Sequence, residues 1–352
     1  MIIYNLFFLI PVFFWLLNKK NDKFENFYFF FIFLFYVIIL GLRHNIGNDW
    51  HAYQSKFYNY FDLRLNSSSI TSNYFFDLLS NPNLYFGSFE AYNLVTSLIF
   101  LIGLFIFSYF QQDKIFAITL SYPYLLLFVG MGYIRQSISI SLFLIAITLI
   151  FKNRLFFGLI FIFLSLLTHK MIIISCLILL FSVKFINYKT IIKLAFFFIP
   201  IVFILFFFTG YLGYMVKFYM TEANYFTSQG VTLRIILAIF PALLLFLKKD
   251  NFYVFSKFES PFFKNSSYSL FALIPFAIFF STAVDRLLIF TSLSYVYIYA
   301  FSNVSFYTSN TLKNFLQPLI LVLLIIYLNI WLLFSEYRSF WLPYENLMMK
   351  LF

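Results

Sequence analysis

A chain of 352 residues that is 63% hydrophobic and 11% charged cannot bury its apolar surface as a water-soluble globule, and reads as an integral membrane protein. The formal charge of +11 is scattered through short segments without a basic stripe or tail, which excludes a nucleic-acid-binding class. The single cysteine, Cys176, lies in an apolar run and excludes both a disulfide framework and a thiolate metal site.

The apolar runs are long and do not alternate, and hydrocarbon leaves backbone polar groups no outside partner, so the spans are expected as α-helices. The fold class is all-α: a polytopic membrane helical bundle of about twelve transmembrane helices, read as a single integral membrane domain over residues 1–352. The expected spans are 1–17, 25–42, 91–110, 115–129, 133–151, 155–168, 171–183, 191–209, 231–247, 268–284, 287–301 and 315–334. Met1 opens directly into apolar sequence, and Lys19 and Lys20 follow the run. It is therefore expected to be a first span with its N-terminus outside, not a cleaved signal.

With that orientation, fourteen Lys and Arg fall on the cytoplasmic side and ten on the outer side, a modest positive-inside bias. The bias by residue type is sharper. Thirteen of seventeen lysines are inside, whereas six of seven arginines and all three histidines are outside. A guanidinium fork suits phosphate and carboxylate oxygens, so the outer arginines point to an anionic ligand. Snorkelling at helix ends or local ion pairs is the bland alternative for each.

The longest polar stretch is an outer, periplasmic loop over residues 43–90. Within it Trp50, Tyr53, Phe57 and Tyr60 recur at helical spacing, which predicts a short interfacial helix. Asn66 to Ser69 and Asn81-Pro82-Asn83 read as turns. A second outer loop, 210–230, carries Tyr211, Tyr214, Tyr219 and Tyr225; membrane-interface belts use such aromatics as readily as sugar-binding grooves do. The cytoplasmic segments hold no nucleotide-binding motif.

The candidate chemistry follows from position. Arg43 ends the second span, and Gly47 permits a tight turn that brings Asp49 and Tyr53 back over the membrane surface; an Arg43–Asp49 salt bridge is the alternative. Arg135, with Gln136 beside it, enters the fifth span one turn in, after Gly130-Met131-Gly132. An arginine at the start of an apolar helix is unfavourable unless it meets protein, water or an anion. His169 and Lys170 interrupt a long apolar region, and an imidazole there suits a general base. Asp285-Arg286 joins the tenth and eleventh spans, where local pairing would be self-neutralising, and Arg234 repeats the geometry of Arg135. No two acids stand close enough for an Asp-X-Asp metal site, so no metal or cofactor is expected.

These residues resemble a known pattern. Arg43, Gly47, Asp49 and Tyr53 resemble the Arg-X-X-X-Gly-X-Asp-X-X-X-Tyr signature of the EpsG-like branch of Wzy-type O-antigen and capsular polysaccharide polymerases. Arg135-Gln136, His169-Lys170 and the late Arg286 are similar to that family's other elements in order and spacing, although Met171 stands where the family usually has a small residue. The resemblance implies a metal-independent GT-C-like glycosyltransferase in a bacterial inner membrane, with undecaprenyl-diphosphate-linked repeat units as substrates. It further implies Arg135, His169 and Arg286 in catalysis, with His169 as the base. Arg43, Asp49, Tyr53, Gln136, Lys170, Arg234 and Asp285 would bind substrate, and a flippase and a chain-length regulator would be partners. A lipid-glycan flippase is the rival class, although the polar residues crowd one face instead of lining a midplane path. A ligase shares the chemistry of the polymerase.

Overall fold

The structure, a computed structural model, describes residues 1–20, 22–61, 74–182, 228, 230–247, 259–278, 280–303 and 310–350. Among the described residues it is all-helical apart from turns and one isolated antiparallel bridge, Arg43 with Asn346. The helices are α1 (Ile2–Lys20), α2 (Glu25–Gly41), α3 (Trp50–Tyr58), α4 (Tyr74–Leu79), α5 (Phe89–Tyr109), α6 (Lys114–Ser121), α7 (Ile134–Phe151), α8 (Leu155–Thr168), α9 (Ile173–Ser182), α10 (Val231–Leu247), α11 (Glu259–Leu273), α12 (Ser281–Phe290), α13 (Tyr297–Asn303) and α14 (Asn310–Phe334). A π-helical stretch, Tyr122–Val129, and the turn Gly130–Gly132 extend α6, and a second π-helical stretch joins α12 to α13.

Among the described residues six helical stretches are long and apolar enough to cross a membrane: Ile2–Lys19, Phe89–Tyr109, Lys114–Gly132, Ile134–Phe151, Ser281–Ser302 and Leu316–Phe334. Glu25–Gly41, Leu155–Thr168, Lys170–Ser182 and Val231–Phe246 are shorter apolar helices. These ten coincide with expected runs. The expected span 191–209 and the aromatics of loop 210–230 lie outside the described residues, as does the turn at 66–69. The run 268–284 departs from expectation. Proline has no N–H for a helix to use, and α11 stops before Pro275, which opens a 3-10 turn; α12 then starts at Ser281. Asp285 and Arg286 are consequently in the second turn of a helix, not at a junction of two spans.

The chain forms two compact units, the first made of residues 1–69, 74–145 and 307–352, the second of 70–73 and 146–306. In the first, α2 packs on α5, α1 on α6, and α14 on the π-helical extension. Every residue from Lys114 to Gly132 is buried, so this segment is the unit's central rod. Around it Trp15 stacks on Phe116 and Tyr36 on Tyr122. The crossing of α5 and α7 requires Gly103, because a Cβ there would lie 2.1 Å from Ser141 Oγ, whose hydroxyl donates to Ile99 O at 2.6 Å. Outward faces of α1 and α2 expose Leu9, Phe13, Phe30 and Leu34, the apolar-outside pattern that a bilayer accepts and water does not. In the second unit α11 packs on α9 and α10, with Phe263 stacked on Tyr299 at 3.6 Å.

Candidate functional site

The loop after α2 is built against two other segments of the first unit. Gly47 has φ +111°, a conformation that glycine adopts without strain. It also touches the turn before Arg135, since a Cβ on Gly47 would lie 2.4 Å from Met131 O. Its N–H donates to Phe340 O at 2.9 Å. Asp49 then occupies the N-cap position of α3, and its carbonyl accepts the Tyr53 N–H at 3.0 Å. One turn of α3 later, the Tyr53 hydroxyl accepts the backbone N–H of Arg135 at 3.3 Å. Amides in the first turn of a helix have no intrahelical acceptor, so Tyr53 satisfies one of them for α7. Gly47 and Tyr53 both hold the start of the helix that carries Arg135.

Tyr53 is itself braced. Its ring meets Phe76 of α4 at 5.8 Å, and Lys56 pairs with Asp77 at 2.5 Å, tying α3 to α4. The turn expected at residues 81–83 is present: Asn81 Oδ1 accepts the Asn83 N–H at 3.1 Å. In the first turn of α7, Arg135 is half-buried and Gln136 is buried, with no hydrogen-bond partner for its side-chain oxygen among the described residues.

Arg43 behaves differently. It is 1% exposed; its Nη1 donates to Leu40 O at 2.6 Å and to Ser97 Oγ at 3.1 Å, and its guanidinium lies 5.6 Å from the Trp50 ring. Nε and Nη2 are buried without a hydrogen-bond partner among the described residues, and no Arg43–Asp49 ion pair forms. Burial lowers its pKa to about 10, partly offset by the hydroxyls of Tyr344, Tyr92, Tyr53 and Tyr4, so it stays charged at neutral pH. Arg43 faces the protein interior, where it secures the end of α2.

Sequence reasoning missed the segment after α14. His44 N–H donates to Glu345 O at 3.0 Å and Leu347 N–H to Leu42 O at 2.8 Å, flanking the Arg43–Asn346 bridge. Trp341 is 1% exposed; its Nε1 donates to Asn48 Oδ1 at 3.0 Å, and a Cβ on Gly132 would meet its ring at 3.2 Å. Trp341 therefore touches both the Asn48 side of the loop and the turn before Arg135. The Trp-Leu-Pro-Tyr run at 341–344, polar and aromatic after the last apolar span, was the available signal.

The second unit holds the other candidates. His169 ends α8 in an extended conformation, φ −151° and ψ 117°, and its Nδ1 accepts the Met171 N–H at 3.2 Å. Its ring lies 5.0 Å from that of Phe290, the last residue of α12. Arg286 is four residues earlier on α12, hence on the same face as Phe290, and α12 packs on the turn at Lys170–Ile172. Ser175 Oγ, donating to Phe290 O, closes this contact. Lys170 is buried and Arg286 half-buried. Asp285 pairs with Arg234 and accepts from Ser228 Oγ at 3.0 Å, while Ser228 N–H donates to Ser281 Oγ at 3.1 Å. The acid expected beside Arg286 as a self-neutralising pair thus engages an arginine of α10. His44 is half-buried against Trp50, and His51 is exposed. Among the described residues no three His, Cys, Asp or Glu side chains come together as a metal site.

A family model, the EpsG family, matches residues 26–346. The chain belongs to the EpsG family. The match begins in α2 and ends at Asn346, so it takes in the signature loop and the C-terminal segment that seats it. EpsG membership and the apolar helices together fit a membrane protein with a polysaccharide-polymerase type of role. No curated protein and no solved structure matches the chain.

Proposed function

We propose that this EpsG protein elongates a polysaccharide at the outer face of a bacterial inner membrane. A growing glycan is transferred from undecaprenyl diphosphate to the terminal sugar of another lipid-linked repeat unit, without a metal, in a GT-C-type architecture of about twelve spans. Lipid-borne substrates require charged groups at bilayer level, and a departing diphosphate requires countercharge. In this reading Arg135 and Arg286 supply countercharge, His169 adds an imidazole, and Asp49, Gln136 and Lys170 bind the sugars or their phosphates. Arg43, Tyr53, Arg234 and Asp285 act by positioning. A flippase that delivers repeat units and a regulator of chain length are the expected partners.

The observation that carries this reading is the care taken over Arg135. A guanidinium opening an apolar helix is disfavoured both by the helix dipole and by hydrocarbon, yet the family signature supplies Gly47 and Tyr53 to build that helix start. The test uses purified protein in lipid nanodiscs with an undecaprenyl-diphosphate-linked repeat unit. Native protein is expected to form a ladder of longer lipid-linked glycans, and Arg135→Ala to yield none while inserting normally. A normal ladder from Arg135→Ala would remove Arg135 from the reaction. Transport of intact units across the bilayer without elongation would replace the reading with a flippase.

A further inference from the structure

We propose that the turn before α5 is a membrane anchor: Leu84 and Phe86 insert into the headgroup and acyl boundary of the leaflet at that end of α5 and hold the signature loop at bilayer level. This rests on α5 crossing a bilayer and is independent of the reaction assigned to the site. Phe86 is 101% exposed and Leu84 55%. Helix α5, long and apolar enough to cross a membrane, begins three positions after Phe86, at Phe89. Apolar side chains that close to the end of a span lie where a bilayer passes from hydrocarbon to headgroups.

The turn is built to present them. Phe86 holds φ 52°, a left-handed conformation that a bulky residue adopts only where its surroundings impose it. Hydrogen bonds on both sides impose it here. Asn81 caps the 3-10 turn Pro82–Tyr85 by accepting the Asn83 N–H at 3.1 Å, and Gly87 N–H donates to Pro82 O at 3.0 Å. Ser88 N–H donates to Tyr85 O at 2.9 Å, while Ser88 Oγ accepts the Ala91 N–H at 3.2 Å and caps α5. Between the two exposed residues, Tyr85 is turned inward, its ring 5.4 Å from that of Tyr92 in α5 and 6.1 Å from that of Phe57 in α3. A phenyl ring held wholly in water is unfavourable, and in a membrane interface it is not.

The aromatic stripe along α3 does not supply this contact. Trp50, Phe57 and Tyr60 are 3%, 1% and 4% exposed, so that side of the helix is taken up by the protein. Tyr58 is 57% exposed, with its ring 6.5 Å from that of Phe89, and adds a third exposed apolar group at the start of α5. Leu84, Phe86 and Tyr58 offer no charge to a charged partner, and a lipid boundary requires none. Tyr85 meets Phe57 of α3, the helix that also carries Tyr53. The depth of the turn therefore sets the height of the segment that holds the start of α7.

Spin-label depth tests this on the full chain in vesicles of phosphatidylethanolamine and phosphatidylglycerol. Phe86→Cys and Leu84→Cys, each in a Cys176→Ala background and carrying a nitroxide, are read by electron paramagnetic resonance from the access of oxygen and of a water-soluble nickel chelate. Both labels are expected on the acyl side of the headgroup phosphates, within roughly 10 Å of them. Labels that the chelate reaches as freely as it reaches a nitroxide in water would overturn the anchor. Labels that neither reagent reaches would overturn it in favour of a protein partner or a second copy of the chain. Phe86→Gly is the second arm. Glycine suits φ 52°, so thermal unfolding is expected to be unchanged or raised, whereas the label at position 84 is expected to move toward water. An unchanged depth at position 84 in that folded variant would show that the Phe86 ring holds nothing in the membrane. Should the cysteine variants fail to fold, native chain in vesicles containing phospholipid with a diazirine near the headgroup is expected to form adducts at Leu84 or Phe86; adducts elsewhere and none there would overturn the anchor.

Discussion

Arg43 in the first unit and Arg234 in the second are both taken up inside the protein, in opposite electrostatic settings. Arg234 pairs with Asp285, whose other oxygen accepts from Ser228. Arg43 has only a carbonyl, a serine hydroxyl, an indole face and nearby tyrosine hydroxyls, and its pKa falls to about 10. Each unit also holds a second arginine that is half-buried near the start of a helix: Arg135 in α7 and Arg286 in α12. In both units one guanidinium is taken up by the fold, and the proposed function assigns the other to the reaction. A buried charge without a carboxylate is tolerated where dipoles surround it, whereas an ion pair is required where few do.

The largest expected effect separates Arg286 from Arg234. Arg286→Ala should lower elongation roughly 10²-fold with little change in thermal unfolding, while Arg234→Ala should reverse that pattern, losing stability more than intrinsic rate in the correctly folded fraction. Equal loss of rate and equal stability in the two variants would erase the distinction. Gly47→Ala comes next. A left-handed φ and a carbonyl 2.4 Å from the new Cβ should destabilise the first unit by about 2–3 kcal/mol, read as a lowered unfolding temperature in nanodiscs. Unaltered melting would mean that the loop does not rest on Met131.

Asp285→Ala should be destabilising by about 2 kcal/mol, since it strands a mostly buried guanidinium, and adding Arg234→Ala should recover part of that loss. Additive losses in this cycle would argue against the pair. The smallest effect is that of Tyr53→Phe. Losing one acceptor for the Arg135 N–H is worth about 1 kcal/mol, or roughly fivefold in elongation rate at unchanged expression. A rate indistinguishable from native would sever the link between the signature tyrosine and Arg135.

Much of the architecture was legible because helical spans are local objects. Twenty or so apolar residues dictate a helix wherever they occur in hydrocarbon, and ten of the described helices coincide with runs visible in composition alone. The misplaced run at 268–284 shows the limit: it is largely apolar by composition, yet the helix stops before Pro275 and a new one starts at Ser281. The site residues were legible as chemical types out of place, an arginine opening a helix or a histidine splitting an apolar run. Their partners were not, because Asp285 with Arg234 and Asn48 with Trp341 are separated by 51 and 293 positions, and no periodicity connects such pairs.

By itself the sequence determined a helical membrane chain of the EpsG type and nominated Arg135, His169 and Arg286, since hydropathy, residue type and short spacings depend only on neighbours along the chain. Tertiary structure alone decided that Arg43 faces inward, that Gly47 and Tyr53 secure the start of α7, and that the C-terminal segment seats the signature loop. Those outcomes depend on which backbone groups arrive opposite one another in space, and a hydrogen bond takes its direction from that encounter.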